Sequence, residues 1–498
     1  MGSVPEMPSG TETGGALIQE VMYMKTNQAA ARAKRQAMML EAPMLRVIPR
    51  VAIPMIISMV IDSLYNLADT FFVSGLGEVA TAAVAVNDSL MNILRAVAMG
   101  FAMGAASYIS RLMGADEDEK ASNVATTTLA IGCIFSLIFG LSCFAVKDFL
   151  VDLLGSTREA HAYSVDYATW ILLAAPFTTA NLIMNQLLRS EGSTTFAMVG
   201  MCSGCILNCA LDPLFINVFG WGVAGAAGAT ALSKIFACVI LALPYVRHTA
   251  MLELHHRHLY IDKANMLEVA RMGIPAFLRM SLLSVGGIVT NNVARGFGTA
   301  VLAAIAVANK LYRFIGSVIM GFSQGFAPVA GFCWGARKYK RVKSSFYTTL
   351  GIGVTGCVIL GTLMFIFARP ILMVFNSSGN EQMLSIGMLK LRTLCVAFPL
   401  HMFVMITSNF YQSLGKPMGN LVLSLSRQLL FLIPLVLTVP RFFGAEGLAC
   451  CQAISDALAG IVLALPLGAL MIRRINKLKD GDPPPFGTIR GRGAKETV

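Results

Sequence analysis

Two carboxylates, Asp62 and Asp69, lie within PMIISMVIDSLYNLADTFFVSGLG at residues 54–77, a stretch that otherwise reads as a membrane-spanning helix. An ionisable group inside a bilayer is costly, and it usually faces a cavity and serves a function. Seven residues are close to two helical turns, roughly 10.5 Å along the axis. Tyr65 and Asn66 fall between the two acids on the same face. The stripe Asp62–Tyr65–Asn66–Asp69 therefore predicts a site that takes up and releases protons or cations.

Other polar residues in apolar surroundings extend the candidate set. Asp212 lies in LNCALDPLF, with Asn208 one turn earlier and Pro213 just after. That proline removes a backbone donor and can open coordination positions. The alternative reading is an aspartate near a helix end with a capping role. Asp88, with Asn87 and Asn92, either lines the same cavity or stabilises packing. Asn181 and Asn185, ahead of Arg189, serve either the site or interhelical hydrogen bonding. The second half of the chain carries Lys310, Arg313, Lys390, Arg392, His401 and Arg427 in or near its apolar runs, with Asp456 as its main carboxylate. Lys310 and Arg313 share a face and pair with carboxylates or with lipid headgroups. His401 reads as a neutral, hydrogen-bonded histidine. If a carboxylate binds a coupling ion, it belongs to the first half.

The elements that must hold these residues are transmembrane helices. Only 13% of the 498 residues are charged and 56% are apolar, against about 25% charged in soluble proteins. The apolar runs give an all-α integral membrane protein of twelve spans, near 47–73, 80–110, 123–147, 162–189, 195–219, 222–246, 266–295, 299–333, 345–368, 385–413, 418–440 and 445–472. The net charge of +12 comes largely from loops on one side of twelve spans, including Arg247, Arg257, Lys263, Arg337, Lys338, Lys340, Arg473 and Arg474. The positive-inside rule makes that side the cytoplasm, with both termini inside an inner (plasma) membrane. The basic residues thus imply topology and headgroup contact, and no nucleic acid.

The chain repeats itself. Met99-Gly100-Phe101 recurs as Met320-Gly321-Phe322, 221 residues on, and Gly104, Gly114 and Thr127-Thr128-Leu129 recur at the same offset. Ile53-Pro54 returns as Ile274-Pro275, and Gly222–Gly225 resembles Gly444–Gly447. Six spans per repeat is an even number, so the two lobes share one orientation and are related by a pseudo-twofold axis along the membrane normal. The expected division is a cytoplasmic tail over 1–45, disordered in part (1–22), an N-lobe over 46–246, a linker over 247–265, a C-lobe over 266–472 and a tail over 473–498, disordered beyond Lys479.

Several chemistries find no support. Ten of the eleven cysteines, Cys202 and Cys205 included, sit in or beside apolar spans where free thiols pack as small hydrophobes. His255, His256 and His258 lack further ligands at metal spacing, so no metal is expected. Walker, G-x-S-x-G and H-E-x-x-H motifs are absent, and an enzyme is not expected.

IPMIISMVIDSLYNLADTFFVSGLG, RSEGSTTFAMVGMCSGCILNCALDPLFI, GWGVAGAAGATALS, GFSQGFAPVAGFCWGARKYKRVK and YQSLGKP together resemble the multidrug and toxic compound extrusion (MATE) transporters, in the DinF-like branch. The resemblance covers residues 45–475. It implies a two-lobe, twelve-helix antiporter that exports small amphiphilic, often cationic compounds against a proton or sodium gradient, with no cofactor. It implies an N-lobe site containing Asp69 and Asp212, accompanied by Tyr65 and Asn208, with Asn181 and Asn185 near the span 4 position. Pro54 matches the proline at which span 1 of the family bends. Asp62 and Asp88 depart from the family pattern. A monomer in the lipid bilayer is expected. A lipid-linked oligosaccharide flippase of the same wider superfamily is the alternative, kept open by Arg279, Arg295, Lys310 and Arg313.

Overall fold

The computed structural model describes residues 33, 36–375 and 380–485. Its helices follow the expected order. Span 1 is Met44–Ser74, span 2 Glu78–Gly114 and span 3 Asp118–Ala145. Span 4 is a pair, His161–Leu173 and Ala175–Ser190, bent by 50° where Pro176 enters the second helix. A proline ring cannot donate into the preceding turn, which accounts for the break. Span 5 is Thr194–Val218 and span 6 Gly222–Val246. The second lobe repeats the set with Lys263–Arg295, Thr299–Gly335, Tyr339–Ile366 and Glu381–Ser413 as spans 7 to 10.

The last helical run, Pro417–Ile475, has 59 residues and would be about 88 Å long if straight, far beyond a hydrocarbon core of about 30 Å. Gly444 divides it, with φ 58° and ψ −145°, into spans 11 and 12. A side chain there would disfavour the backbone conformation that makes the turn. The result is the twelve-helix, two-lobe membrane fold.

Backbone conformation repeats along with sequence. The left-handed residues Gly77 and Gly298, Asp116 and Arg337, Gly192 and Gly415, and Gly222 and Gly444 recur at offsets of 221 to 223. Spans 2 and 8 have 37 residues each, and spans 3 and 9 have 28 each. Spans 3 and 9 start five to six residues earlier than expected, at Asp118 and Tyr339, because a charged first turn lies outside the apolar window.

The lobes meet through spans 1 and 2 of one and 7 and 8 of the other. Contact is tightest at the end of the bundle that carries the inter-lobe linker. There Arg111 pairs with Glu268 at 3.0 Å, Tyr108 donates to Asn265 at 3.1 Å, and Arg189 donates to Gln324 at 2.7 Å. Small residues permit the approach: Gly104 faces Val269 and Gly273, and its repeat equivalent Gly325 faces Ala52. Toward the far end the lobes part, leaving Asp88, Asn92, Lys310 and Arg313 exposed.

The linker is bound to the N-lobe. Buried Glu191 accepts from the backbone N–H groups of Met251 (2.7 Å) and Leu252 (3.0 Å) and from Ser193. Asn123 of span 3 donates to the carbonyls of His258 (2.7 Å) and Tyr260 (2.9 Å). Asp262 then caps span 7 through the Ala264 N–H at 2.9 Å.

The expected disorder over 1–22 lies outside the described residues. The segment before span 1 is less tail-like than expected, since Arg341 donates to the carbonyls of Met39 (3.1 Å) and Ala42 (2.7 Å). The stretch after Lys479 also departs from expectation at its start: Tyr339 donates to the Asp482 carbonyl at 2.7 Å, and the Lys340 N–H donates to Asp480 at 3.1 Å. These contacts order 480–482 against span 9; residues 486–498 lie outside the description.

Candidate functional site

The N-lobe interior brings together Tyr65 and Asp69 of span 1, Asn208 and Asp212 of span 5, and Thr230 and Lys234 of span 6. Asp212 is fully buried and Tyr65 is 8% exposed. With its amide turned so that Nδ2 faces Asp212, Asn208 donates to Asp212 Oδ2 at 3.0 Å and its Oδ1 accepts from the Thr230 N–H at 3.1 Å. Pro213 acts as expected: the helix opens into π geometry over Leu214–Val218 immediately after it. Lys234 Nζ lies 5.6 Å from the centre of the Tyr65 ring. Asp69 interacts electrostatically with Lys234, Asp88 and Asp212. Its Oδ1 is buried and accepts no hydrogen bond. A carboxylate oxygen without a donor, beside the buried Asp212 carboxylate, has the chemistry to accept a proton or a small cation.

The remaining candidates separate from this cluster. Asn66 is exposed, and its amide turns back to the Asp62 carbonyl at 2.6 Å, so it does not join Asp69. The Asp62 carboxylate acts on Arg189, Cys202 and Cys205, toward the linker end. The single stripe expected from helical spacing is thus two environments. Asn185 donates to the Ala197 carbonyl at 2.8 Å, fifteen residues before Asp212 on span 5, or about 22 Å of helix. It serves interhelical packing, and Asn181 lies one turn nearer. Asp88 is exposed on span 2, where Arg95 and Arg313 act on it. Asn87 spends its amide on the Ala83 (3.0 Å) and Ser164 (2.9 Å) carbonyls. Span 1 passes Pro54 as one continuous helix.

Sequence reasoning passed over Lys234 and Thr230. The signal for Lys234 was present, as a lysine in the middle of an apolar span.

The C-lobe holds a second buried cluster. His401 Nδ1 and Arg427 Nη1 are 2.6 Å apart, Arg427 reaches Asp456 at 3.3 Å, and Tyr312 donates to Asp456 at 3.0 Å. Four helices contribute, so His401 belongs to an ion-pair network. Asp456 stands 222 residues after Lys234, within matching Ala-Leu-Ser-Lys and Ala-Ile-Ser-Asp segments. The repeat has inverted its charge at this position. Away from the spans, His258 lies 3.5 Å from Glu253 and His255 accepts from the Arg257 N–H at 3.2 Å.

The sequence profile described as MatE matches twice, over residues 54–214 and 275–438, one match in each lobe. The chain belongs to the MatE family. This MatE chain is 24% identical over 423 residues to the multidrug export protein MepA of Staphylococcus saprophyticus, covering 83% of this chain and 91% of that one. The protein of the same name from Staphylococcus aureus is 24% identical over 428 residues, covering 85% and 94%. Among solved structures, an outward-facing multidrug resistance MATE family transporter of the MOP superfamily superposes with TM-score 0.84 at 28% identity, over 88% of this chain and 98% of that one. A MOP superfamily transporter from Pyrococcus furiosus, described as having a binding pocket of reverse polarity, gives 0.83 at 27% identity over 89% and 99%. The MatE repeat boundaries, 54 and 275, are 221 residues apart, the offset already visible in the glycines and prolines.

Proposed function

We propose that this MatE protein is a multidrug exporter that exchanges small amphiphilic, often cationic compounds for protons or sodium ions, with Asp69 and Asp212 taking up the coupling ion. The observation that carries the reading is the donor-less, buried Asp69 Oδ1 beside Asp212 and Lys234 in the N-lobe. The Staphylococcus relatives named as multidrug export proteins support the cargo class.

In this reading the linker end, with its basic loops and both termini, faces the cytoplasm of a plasma-membrane protein that works as a monomer. The far end opens outward. A proton or sodium ion entering from outside neutralises the Asp69–Asp212 pair and displaces a cationic cargo that had compensated the same charge. Neutralisation removes the cost of burying the carboxylates. Span 1 then bends at Pro54, and the lobes rock to expose the cleft to the other side. Lys234 limits the net negative charge of the pair, so the ion is held weakly enough to leave.

The test is flux of a fluorescent cationic dye in proteoliposomes under an imposed proton or sodium gradient. Wild type is expected to export under one of the two gradients, naming the ion. Asp69→Asn, folded and inserted, is expected to lose gradient-driven flux. Undiminished flux in that variant would remove Asp69 from the mechanism.

A further inference from the structure

At the linker end, where the lobes are in contact, they line a partly open cavity of about 40 Å³, against the roughly 10–15 Å³ that one water needs. Its walls come from both lobes in matched pairs. Met103 faces its repeat equivalent Gln324, 221 residues on, while Gln186 and Asn409, and Arg189 and Gln412, match at 223. The cavity therefore lies on the pseudo-twofold axis. The pairing is broken in charge at one place: Arg189 is the single ionised side chain in the lining, and its equivalent is the neutral Gln412.

Arg189 is 4% exposed, and its hydrogen-bond partners are neutral. Nη1 donates to Gln324 Oε1 at 2.7 Å, and Nη2 meets Met201 Sδ at 3.9 Å. Nε has no acceptor, and neither has Nε2 of Gln324, which is 7% exposed. Among the described residues Arg189 makes no ion pair. The carboxylate that acts on it, Asp62, belongs to span 1 and does not line the cavity. A buried guanidinium left with neutral partners is expensive, and a polar cavity next to two unused N–H donors is where a compensating anion fits.

The geometry points to a binding site for a small monovalent anion of the halide class, chloride in the cell, seated between Arg189 and Gln324. The volume admits a halide with one or two waters. Because the walls come from both lobes, the anion binds only while the linker end is closed, and by linkage it favours that closed state. Anion occupancy is thus separate from the carboxylate cluster that takes the cation, and it biases the same rocking motion from the other end.

The test uses the full chain in nanodiscs. Thermal unfolding is followed as sodium chloride or bromide replaces sodium gluconate at constant ionic strength, and bromide-soaked crystals are measured at the bromine absorption edge. The expected results are a midpoint that rises by several degrees and saturates with halide, and an anomalous peak within hydrogen-bonding distance of Arg189 Nε. Arg189→Gln is expected to lose both. If that variant does not fold, Gln324→Met gives the same readouts, since a methionine already occupies the equivalent position 103. A halide-independent midpoint with no bromide peak means that the cavity holds water alone and overturns the proposal. So does a halide effect that survives in both variants.

Discussion

Gly104 marks a close approach of spans 2 and 7. A Cβ built there would meet the Val269 carbonyl oxygen and stand 3.1 Å from the Gly273 nitrogen. Gly104→Ala therefore pushes the helices apart at the linker end. Overpacking of this kind costs about 1–3 kcal/mol. In the proposed rocking motion the cost falls on the linker-closed state alone, because the two faces separate in the opposite state. The helix-propensity gain of alanine over glycine, about 1 kcal/mol, is common to both states and cancels. The expected shift in the equilibrium between states is about 5- to 150-fold away from the closed linker end. Spin labels introduced as noncanonical amino acids at Ser74 and Arg295, exposed at the far ends of spans 1 and 7, read this as a shorter inter-lobe distance by pulsed electron resonance. Gly325→Ala at the equivalent contact with Ala52 should act alike, while Gly287→Ala, with open space around its Cβ, should do nothing. Distances for Gly104→Ala matching those of Gly287→Ala would refute the reasoning that glycine contact sets the closed state.

Three further outcomes follow from the clusters. Asn208→Ala removes the donor to buried Asp212 and should lower stability by about 1–3 kcal/mol; denaturant titration matching wild type would show that the amide does not hold that carboxylate. Lys234→Met makes the Asp69–Asp212 site more negative and should tighten coupling-ion binding at least tenfold, about 1.4 kcal/mol, while slowing turnover; isothermal titration and dye flux read the two, and unchanged affinity would detach Lys234 from the site. Arg427→Met strands Asp456 in the C-lobe and should cost about 3–5 kcal/mol, most of it recovered in Arg427→Met/Asp456→Leu; a double variant no more stable than the single one would show that the network is not an isolated ion pair.

The repeat and the twelve spans were legible because glycines, prolines and apolar runs recur at one offset. The core of the candidate site was legible in part. Tyr65 with Asp69, and Asn208 with Asp212, each stand four residues apart on a single helix, which spacing alone reveals. What spacing does not supply is the neighbour at each level. Asp62 and Asp69 share a face of span 1, yet the field of one acts on Arg189 and the other interacts with Lys234, because different helices pass span 1 at those two heights. The sequence leaves Asn185 open between the site and interhelical hydrogen bonding, and the Ala197 carbonyl that span 5 offers it is the second of these. His401 reads from sequence as hydrogen-bonded, but its partners stay hidden there because they come from three other helices. Lys234 is plain in the sequence by its type and its place in an apolar span, and the charge-inverted Asp456 stands at its equivalent position in the repeat.

The fastening of the linker decides where the molecule can pivot. Met251 and Leu252 are bonded to Glu191 and the carbonyls of His258 and Tyr260 to Asn123, both in the N-lobe, and Asp262 already belongs to the cap of span 7. Between the two bodies stands Ile261, 62% exposed. A joint of one residue has little slack, so in the proposed rocking motion it keeps the two lobes close together at this rim. In that proposed motion the rim is the pivot, and the mouth at the opposite ends of the spans sweeps the wider arc.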